Sequence, residues 1–125
     1  MVNQKRINEC CRLLNNSYRI DFNTIKVNTH NTLAHELAKF VKAFSLMKQG
    51  KKIITEAIFK NGGRADILIP EDFLVIEILH SETKEEALRK RDYYPIEIDI
   101  LYLTSKEVLN DGSESGITEI LKKNN

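Results

Sequence analysis

Cysteine is nearly missing from this 125-residue chain, occurring only as the adjacent pair Cys10-Cys11. Neighbouring residues seldom reach disulfide geometry, and there is no second pair from which to build a disulfide framework or a zinc site. The two are expected to be small core residues of a helix. Long apolar runs are missing too. No stretch approaches the roughly 18–20 residues that cross a bilayer, and no apolar segment follows the charges of Met1-Val2-Asn3-Gln4-Lys5-Arg6. The expectation is a cytoplasmic protein without a membrane partner. A glycine-rich phosphate loop, a Ser-His-Asp set and Cys/His zinc spacing are likewise absent, as are internal repeats and low-complexity segments.

Nor does one sign of charge dominate. With 19 Lys and Arg against 18 Asp and Glu, the net charge is +1, which excludes a bulk polycation. The distribution is uneven, however. From Lys39 to Arg64 seven bases face one acid, Glu56, whereas from Ala65 onward there are fourteen acids and seven bases. A basic middle beside an acidic second half would guide a phosphate backbone toward a carboxylate-held metal; an ordinary solvated helix face would look the same.

What is present is the composition of an ordinary globular protein, 42% hydrophobic and 30% charged, at a length that suits one domain. Residues 1–31 read as an N-terminal helix and a connection, 32–103 as the core, and 104–125 as a C-terminal helical segment. Ile7, Cys10, Cys11 and Leu14 mark one face of a first helix. Tyr18–Val27 is either a short strand or an extended connection, and the polar cluster Asn28–Thr32 supplies N-caps. A second helix carries Leu33, Leu37, Phe40, Phe44 and Met47 at steps of three and four, with Ala34, Ala38 and Val41 widening the stripe, which predicts a core-facing side, and Gly50 ends it. Three β-rich segments follow: Ile53–Phe59 up to the Asn61-Gly62-Gly63 turn, Arg64–Ile69 up to Pro70, and Leu74–Leu79 up to His80. Their tight connections predict an antiparallel meander. Thr83–Tyr94 reads as a helix stopped by Pro95, and Ile96–Leu103 as a fourth strand, parallel through the crossover. Ser105–Asn110 and Ile117–Lys123 look helical. The predicted class is α/β with a mixed sheet.

Strand parity brings two acids together. With a four-residue loop Pro70–Phe73, Ile69 pairs with Leu74 and Asp66 falls opposite Glu77, their Cβ atoms about 4.5–5.5 Å apart. Each acid interrupts an apolar strand, where a carboxylate is costly unless paired or coordinating. Hard oxygen donors of this kind suit Mg²⁺ or Mn²⁺, which would align water and neutralise charge on a phosphodiester. Separate ion pairs, Asp66 with Arg64 or Lys60 and Glu77 with another base, would also account for them. Glu36, in the first turn of the second helix, either serves the helix dipole or joins the site. Glu56 shares a strand face with Ile54 and Ile58 and either adds a fourth carboxylate or faces solvent on an edge, the second being the expectation. Arg89, Lys90 and Arg91 are candidate phosphate contacts, though in a helix they point in different directions, and Tyr93-Tyr94-Pro95 is expected to pack the helix end against the sheet rather than to stack on a base.

Glu36 in a helix, then Arg64-Ala65-Asp66-Ile67 after a hairpin turn, then Val75-Ile76-Glu77-Ile78-Leu79, then a helix and a strand, together resemble the PD-(D/E)XK nuclease superfamily. Within it the small archaeal Holliday junction resolvases are nearest in size and order. The resemblance covers roughly residues 32–103. It implies a restriction-endonuclease-like fold and a metal-dependent endonuclease, a hydrolase of DNA phosphodiester bonds, acting on branched DNA among other forms; a nuclease of 125 residues has little surface for gripping a duplex, so a homodimer is the expectation. It further implies Mg²⁺ or Mn²⁺ held by Glu36, Asp66, Glu77 and the backbone carbonyl of Ile78. The superfamily's lysine, two residues after the glutamate, is replaced by Leu79. Lys84 is the first candidate to supply that role, although it equally suits a surface ion pair among Glu82, Glu85 and Glu86; Arg64 and His80 are the others. The replacement also admits an inactive nuclease-fold module that binds nucleic acid or a protein partner.

Overall fold

Four strands form one mixed sheet in the order β1 (Ile54–Ile58), β2 (Arg64–Ile69), β3 (Leu74–Leu79), β4 (Asp99–Thr104). The first three run antiparallel as a meander, and β4 lies parallel to β3. The computed structural model describes residues 2–17, 19–80 and 83–110. Helices flank the sheet: α1 (Gln4–Cys11), α2 (Leu33–Lys48), α3 (Lys84–Leu88) and α4 (Ser105–Leu109). The architecture is therefore α/β, with a four-stranded mixed sheet between helical layers. None of the described helices is long and apolar enough to cross a membrane.

Local chemistry sets the element ends. Thr32 caps α2 by accepting from the His35 amide, and Gly50 follows it at φ +86. The Gly50 amide bonds to Met47 O and the Lys51 amide to Leu46 O, the paired bonds of a Schellman stop. Between β2 and β3, Pro70 opens a 3₁₀ turn that Phe73 closes in the left-handed region, and Ile69 pairs with Leu74. That is the register the four-residue loop predicts. The helix expected over Thr83–Tyr94 is shorter, α3 followed by a 3₁₀ turn Arg91–Tyr93, and the fourth strand begins at Asp99 rather than Ile96. Arg91 explains the difference: its guanidinium donates to the carbonyls of Pro95 and Ile98 at 3.1 and 2.6 Å, which folds residues 95–98 into a turn. The helix expected over Ile117–Lys123 lies outside the described residues.

Hydrophobic cores fill both faces of the sheet. Ile67, Ile69, Ile76 and Ile78 pack with Ala38, Val41 and Leu46 of α2 and with Val108 of α4. On the other face Leu68 and Val75 pack with Cys10 of α1, Phe59, Tyr94 and Ile98. Both cysteines are free, and burial pushes the Cys10 thiol up to about 12. α1 docks on the β2–β3 turn, where Arg6 Nε donates to Glu71 O at 2.8 Å and its guanidinium lies 4.7 Å from the Phe73 ring centre. The connection after α1 runs along the outer edge of β1. Asn15 and Asn23 donate their amides to Ile58 O and Ile53 O, and the Lys26 amide donates to Thr55 Oγ1. It covers an edge that would otherwise invite pairing with another chain.

The stripe expected to bury α2 is only partly buried: Ala38 and Val41, which widen it, are in the core and Leu37 and Met47 pack against its margin, but its centre line points away. Leu33, Phe40 and Phe44 are 75%, 44% and 48% exposed, while His35, Ala38, Lys39 and Val41 are buried. α2 is apolar around most of its circumference, so periodicity alone does not choose a side. The small residues Ala38 and Val41 let the helix approach the sheet closely and turn His35, Glu36 and Lys39 toward it.

Candidate functional site

Three acids stand in one row across three strands. Thr55 pairs with Ile67 and Ala57 with Ala65, which sets Glu56 across from Asp66. Ile67 pairs with Ile76, so one step further along β2 Asp66 stands across from Glu77, and Glu77 in turn pairs with Tyr102 of β4. The regular ladder fails at this row. Glu56 takes a left-handed φ of +52, a strained conformation for a side chain of its kind. Ala57 and Ala65 then face the same core as Ile54 and Leu68, so the inside-outside alternation slips at Glu56 and Asp66.

Side chains take over the hydrogen bonds of the broken ladder. Asp66 Oδ2 accepts from the Ile78 amide at 2.7 Å, and Glu77 Oε1 accepts from the Asp66 amide at 3.2 Å. Asp66 also faces α2, with its Oδ2 3.3 Å from His35 Nε2. Glu77 shares a strand face with Val75 and turns away from α2 toward Tyr94, whose hydroxyl lies 2.9 Å from Glu77 Oε1 and 2.8 Å from Arg64 O. The register is the expected one, but the slip at Asp66 sends the two carboxylates to opposite faces of the sheet, not to the common face that strand parity predicts. One phenolic hydrogen of Tyr94 serves its two acceptors. Burial and the charge of Glu77 push that phenol well above its ordinary value, so it keeps its proton.

α2 adds a carboxylate and two cations. Glu36 Oε1 accepts from the Asn28 amide at 2.7 Å, and Oε2 accepts from Asn31 Nδ2 at 3.1 Å. His35 Nδ1 lies 2.8 Å from Glu36 Oε2, so the ring bridges Glu36 and Asp66. Burial works against a charge on His35, but the hydrogen bonds and charges of Asp66 and Glu36 outweigh it and lift the imidazole to about 9. Burial likewise opposes ionisation of Glu36, yet the Asn28 amide, the charge of Lys39, and the donors His35 and Asn31 hold it down at about 2. At neutral pH the pair is imidazolium and carboxylate.

His35 and Lys39 are the residues that sequence reasoning missed, and Glu56 is one it placed in solvent. Lys39 is 1% exposed, with its Nζ 2.7 Å from Glu36 Oε1 and 3.6 Å from Glu56 Oε2. Both contacts neutralise its charge, but neither is aligned as a hydrogen bond. Glu56 does not face solvent as expected: its side chain is 12% exposed and accepts from Asn28 Nδ2 at 3.0 Å. The one available signal was the i,i+3 spacing of Glu36 and Lys39, which puts both on one helix face.

The other candidates are dispersed. Leu79 is core, 2% exposed. Ile78 is buried and enters the site through its amide. His80 bonds to Ser105 at 2.9 Å, beyond the end of β3. Arg91 is committed to backbone carbonyls and so is not available to phosphate. The side chain of Lys84 lies outside the described residues. Among the described residues no group of three His, Cys, Asp or Glu side chains is placed to hold a metal ion. Comparison with protein-family models, curated proteins and solved structures finds no match to the chain.

Proposed function

We propose that the chain is a metal-dependent nuclease-like domain with a restriction-endonuclease-like core, hydrolysing DNA phosphodiester bonds. The observation that carries this reading is the transverse row Glu56–Asp66–Glu77, set where the sheet ladder breaks and joined by Glu36 from α2. Buried ion pairs contribute little to stability on balance. Four acids gathered with two cations at a strained backbone position are better explained by function.

The donor chemistry fits Mg²⁺ or Mn²⁺, which take hard oxygen ligands. The acids do not converge on one point, since Glu36 and Asp66 meet at His35 on the α2 side while Glu77 turns to Tyr94 on the other. Glu36, Asp66, Glu77 and the Ile78 carbonyl would hold an ion only after Glu77 swings back, and the ion would then supply charge neutralisation and an aligned water. In the arrangement described here, protonated His35 and Lys39 provide the positive charge these acids require. The chain's own residues do three things: Tyr94 orients Glu77, the Ile78 amide fixes Asp66, and Lys39 holds Glu36 and Glu56 together. A homodimer would give so small a domain enough surface to grip a duplex.

One observation favours a second reading. The acids are each satisfied by protein donors, and Leu79 replaces the superfamily's lysine, which suits a module that binds nucleic acid or a protein without cutting it. Calorimetric titration with Mn²⁺, together with incubation on linear and branched DNA in Mg²⁺, divides the two. The nuclease reading expects metal binding that is lost in Asp66→Ala and cleavage that is lost in both Asp66→Ala and Glu77→Ala. Cleavage that persists in both variants rejects the site, and DNA binding without cleavage by the wild type supports the binding module.

A further inference from the structure

On the face of the sheet away from α2, Glu77 borders a cleft of about 310 Å³ that the proposed chemistry leaves unused. Gly63, Arg64, Lys90 and Tyr93 line it, and Tyr94 forms part of its wall. Its two sides are fixed to each other. The Gly63 amide donates to Tyr93 O at 2.7 Å, and the Tyr94 hydroxyl bonds to Arg64 O. Tyr93 was expected to pack against the sheet with Tyr94; only Tyr94 does so, and Tyr93 remains 58% exposed. The Arg64 side chain is exposed and makes no ion pair or hydrogen bond among the described residues.

An open aromatic ring beside an uncommitted guanidinium matches a nucleotide in both of its parts. Aromatic side chains stack on unpaired bases without regard to sequence. The planar fork of arginine fits phosphate oxygens in pairs. A base inside a duplex has both faces covered by its neighbours and must leave the stack before it meets a protein ring. The volume is at the lower end of small-ligand sites, room for one nucleotide rather than a base pair.

We infer that this cleft receives one unpaired nucleotide of a single-stranded segment, its base on the Tyr93 ring and its phosphate at Arg64. The inference rests on the nuclease-like reading for its reason to bind nucleic acid, and it narrows the substrate class to DNA with an unpaired stretch beside the acid row: a flap, an overhang or an open junction.

The test is fluorescence anisotropy of the full chain with a labelled 12-nucleotide oligothymidylate and with a blunt duplex of equal length, both in EDTA. The expected result is single-strand binding roughly tenfold tighter than duplex binding, weakened about tenfold by Tyr93→Ala or Arg64→Ala and retained by Tyr93→Phe. Both residues are exposed, and circular dichroism of each variant confirms that it folds. Single-strand binding that is absent, equal to duplex binding, or unchanged in the two alanine variants overturns the inference. EDTA removes any divalent ion, so the result is independent of the acid row. Tyr93-dependent binding in a protein that takes up no Mn²⁺ at Asp66 would keep the cleft and reject the nuclease.

Discussion

Asp66 and Glu77 are joined amide to carboxylate, the Asp66 N–H donating to Glu77 Oε1 at 3.2 Å, rather than held carboxylate to carboxylate. Asp66 in turn uses its own Oδ2 to accept from Ile78 and to face His35. Its two duties separate by substitution. Asp66→Asn keeps an acceptor for the Ile78 amide and loses only the charge beside His35, at a cost of about 1 kcal/mol. Asp66→Ala leaves the buried Ile78 amide without its acceptor and the imidazolium with Glu36 alone, and costs about 3 kcal/mol or more. Urea denaturation of both variants measures the difference; equal losses would show that the Ile78 bond contributes nothing. The asparagine variant is then the better control for metal binding, because its fold stays closer to the wild type.

His35 gives the protein a stability profile with a defined sign. Its pKa is raised from 6.5 to about 9, so the folded state holds a proton more tightly than the unfolded state does. The resulting stabilisation is complete below about 6.5 and is lost as pH rises through about 9, an amount up to about 3 kcal/mol. Glu36, lowered from 4.5 to about 2, contributes in the opposite sense: present above 4.5 and lost as pH falls through about 2. The two share one ion pair, so the amounts do not add. Urea midpoints are expected to fall between about pH 6.5 and 8.5 in the wild type, while a His35→Gln variant, weaker at neutral pH, stays flat over that interval; above it the raised Cys10 thiol lowers both. An imidazole midpoint near 6.5 by NMR would contradict this.

Among the described residues Lys39 is the cation that contacts both Glu36 and Glu56. Lys39→Met keeps most of the aliphatic volume and removes the ammonium, leaving two buried acids facing each other, and is expected to cost about 3–5 kcal/mol. Adding Glu56→Gln removes one of the two charges and restores about half of that. Additive losses in the double variant, measured by thermal and urea unfolding, would mean that the three residues do not act as a unit.

How much of this was legible in the sequence depends on the length scale involved. β2 and β3 were readable because turn residues bound them closely, and the Pro70–Phe73 loop fixed the Asp66–Glu77 register. Glu56 was not, because strand parity assumes regular backbone and Glu56 departs from it at φ +52. The orientation of α2 escaped because the sequence makes two apolar stripes on one helix and only tertiary packing selects between them. A direct check follows from that choice. Phe40 and Phe44 stack on each other with ring centres 6.0 Å apart at the surface. Replacing either with Ser is expected to cost under about 1 kcal/mol, whereas Val41→Ala, at a position 2% exposed, costs about 2 kcal/mol. The reverse order in chemical denaturation would put the centre line of the predicted stripe back in the core.

Gly63 is the residue whose backbone the rest of the cleft is built on. A Cβ there would lie 2.4 Å from the Tyr93 carbonyl oxygen and 3.0 Å from its carbon, both backbone atoms that no rotamer change can move. Nearby Gly62 has open space around it and needs glycine only for its φ of +99. Alanine at 63 must therefore push apart the hairpin turn and the 3₁₀ turn Arg91–Tyr93, breaking the Gly63–Tyr93 hydrogen bond and loosening the Phe59–Tyr94 edge-to-face contact. The expected cost is about 2–3 kcal/mol, well beyond what backbone entropy alone would return for a glycine-to-alanine change. Because Tyr94 positions Glu77, the same displacement reaches the acid row. Hydrogen exchange of the Asp66 amide should accelerate in Gly63→Ala by more than global destabilisation explains, and an unchanged rate after that correction would show that the turn and the row are independent.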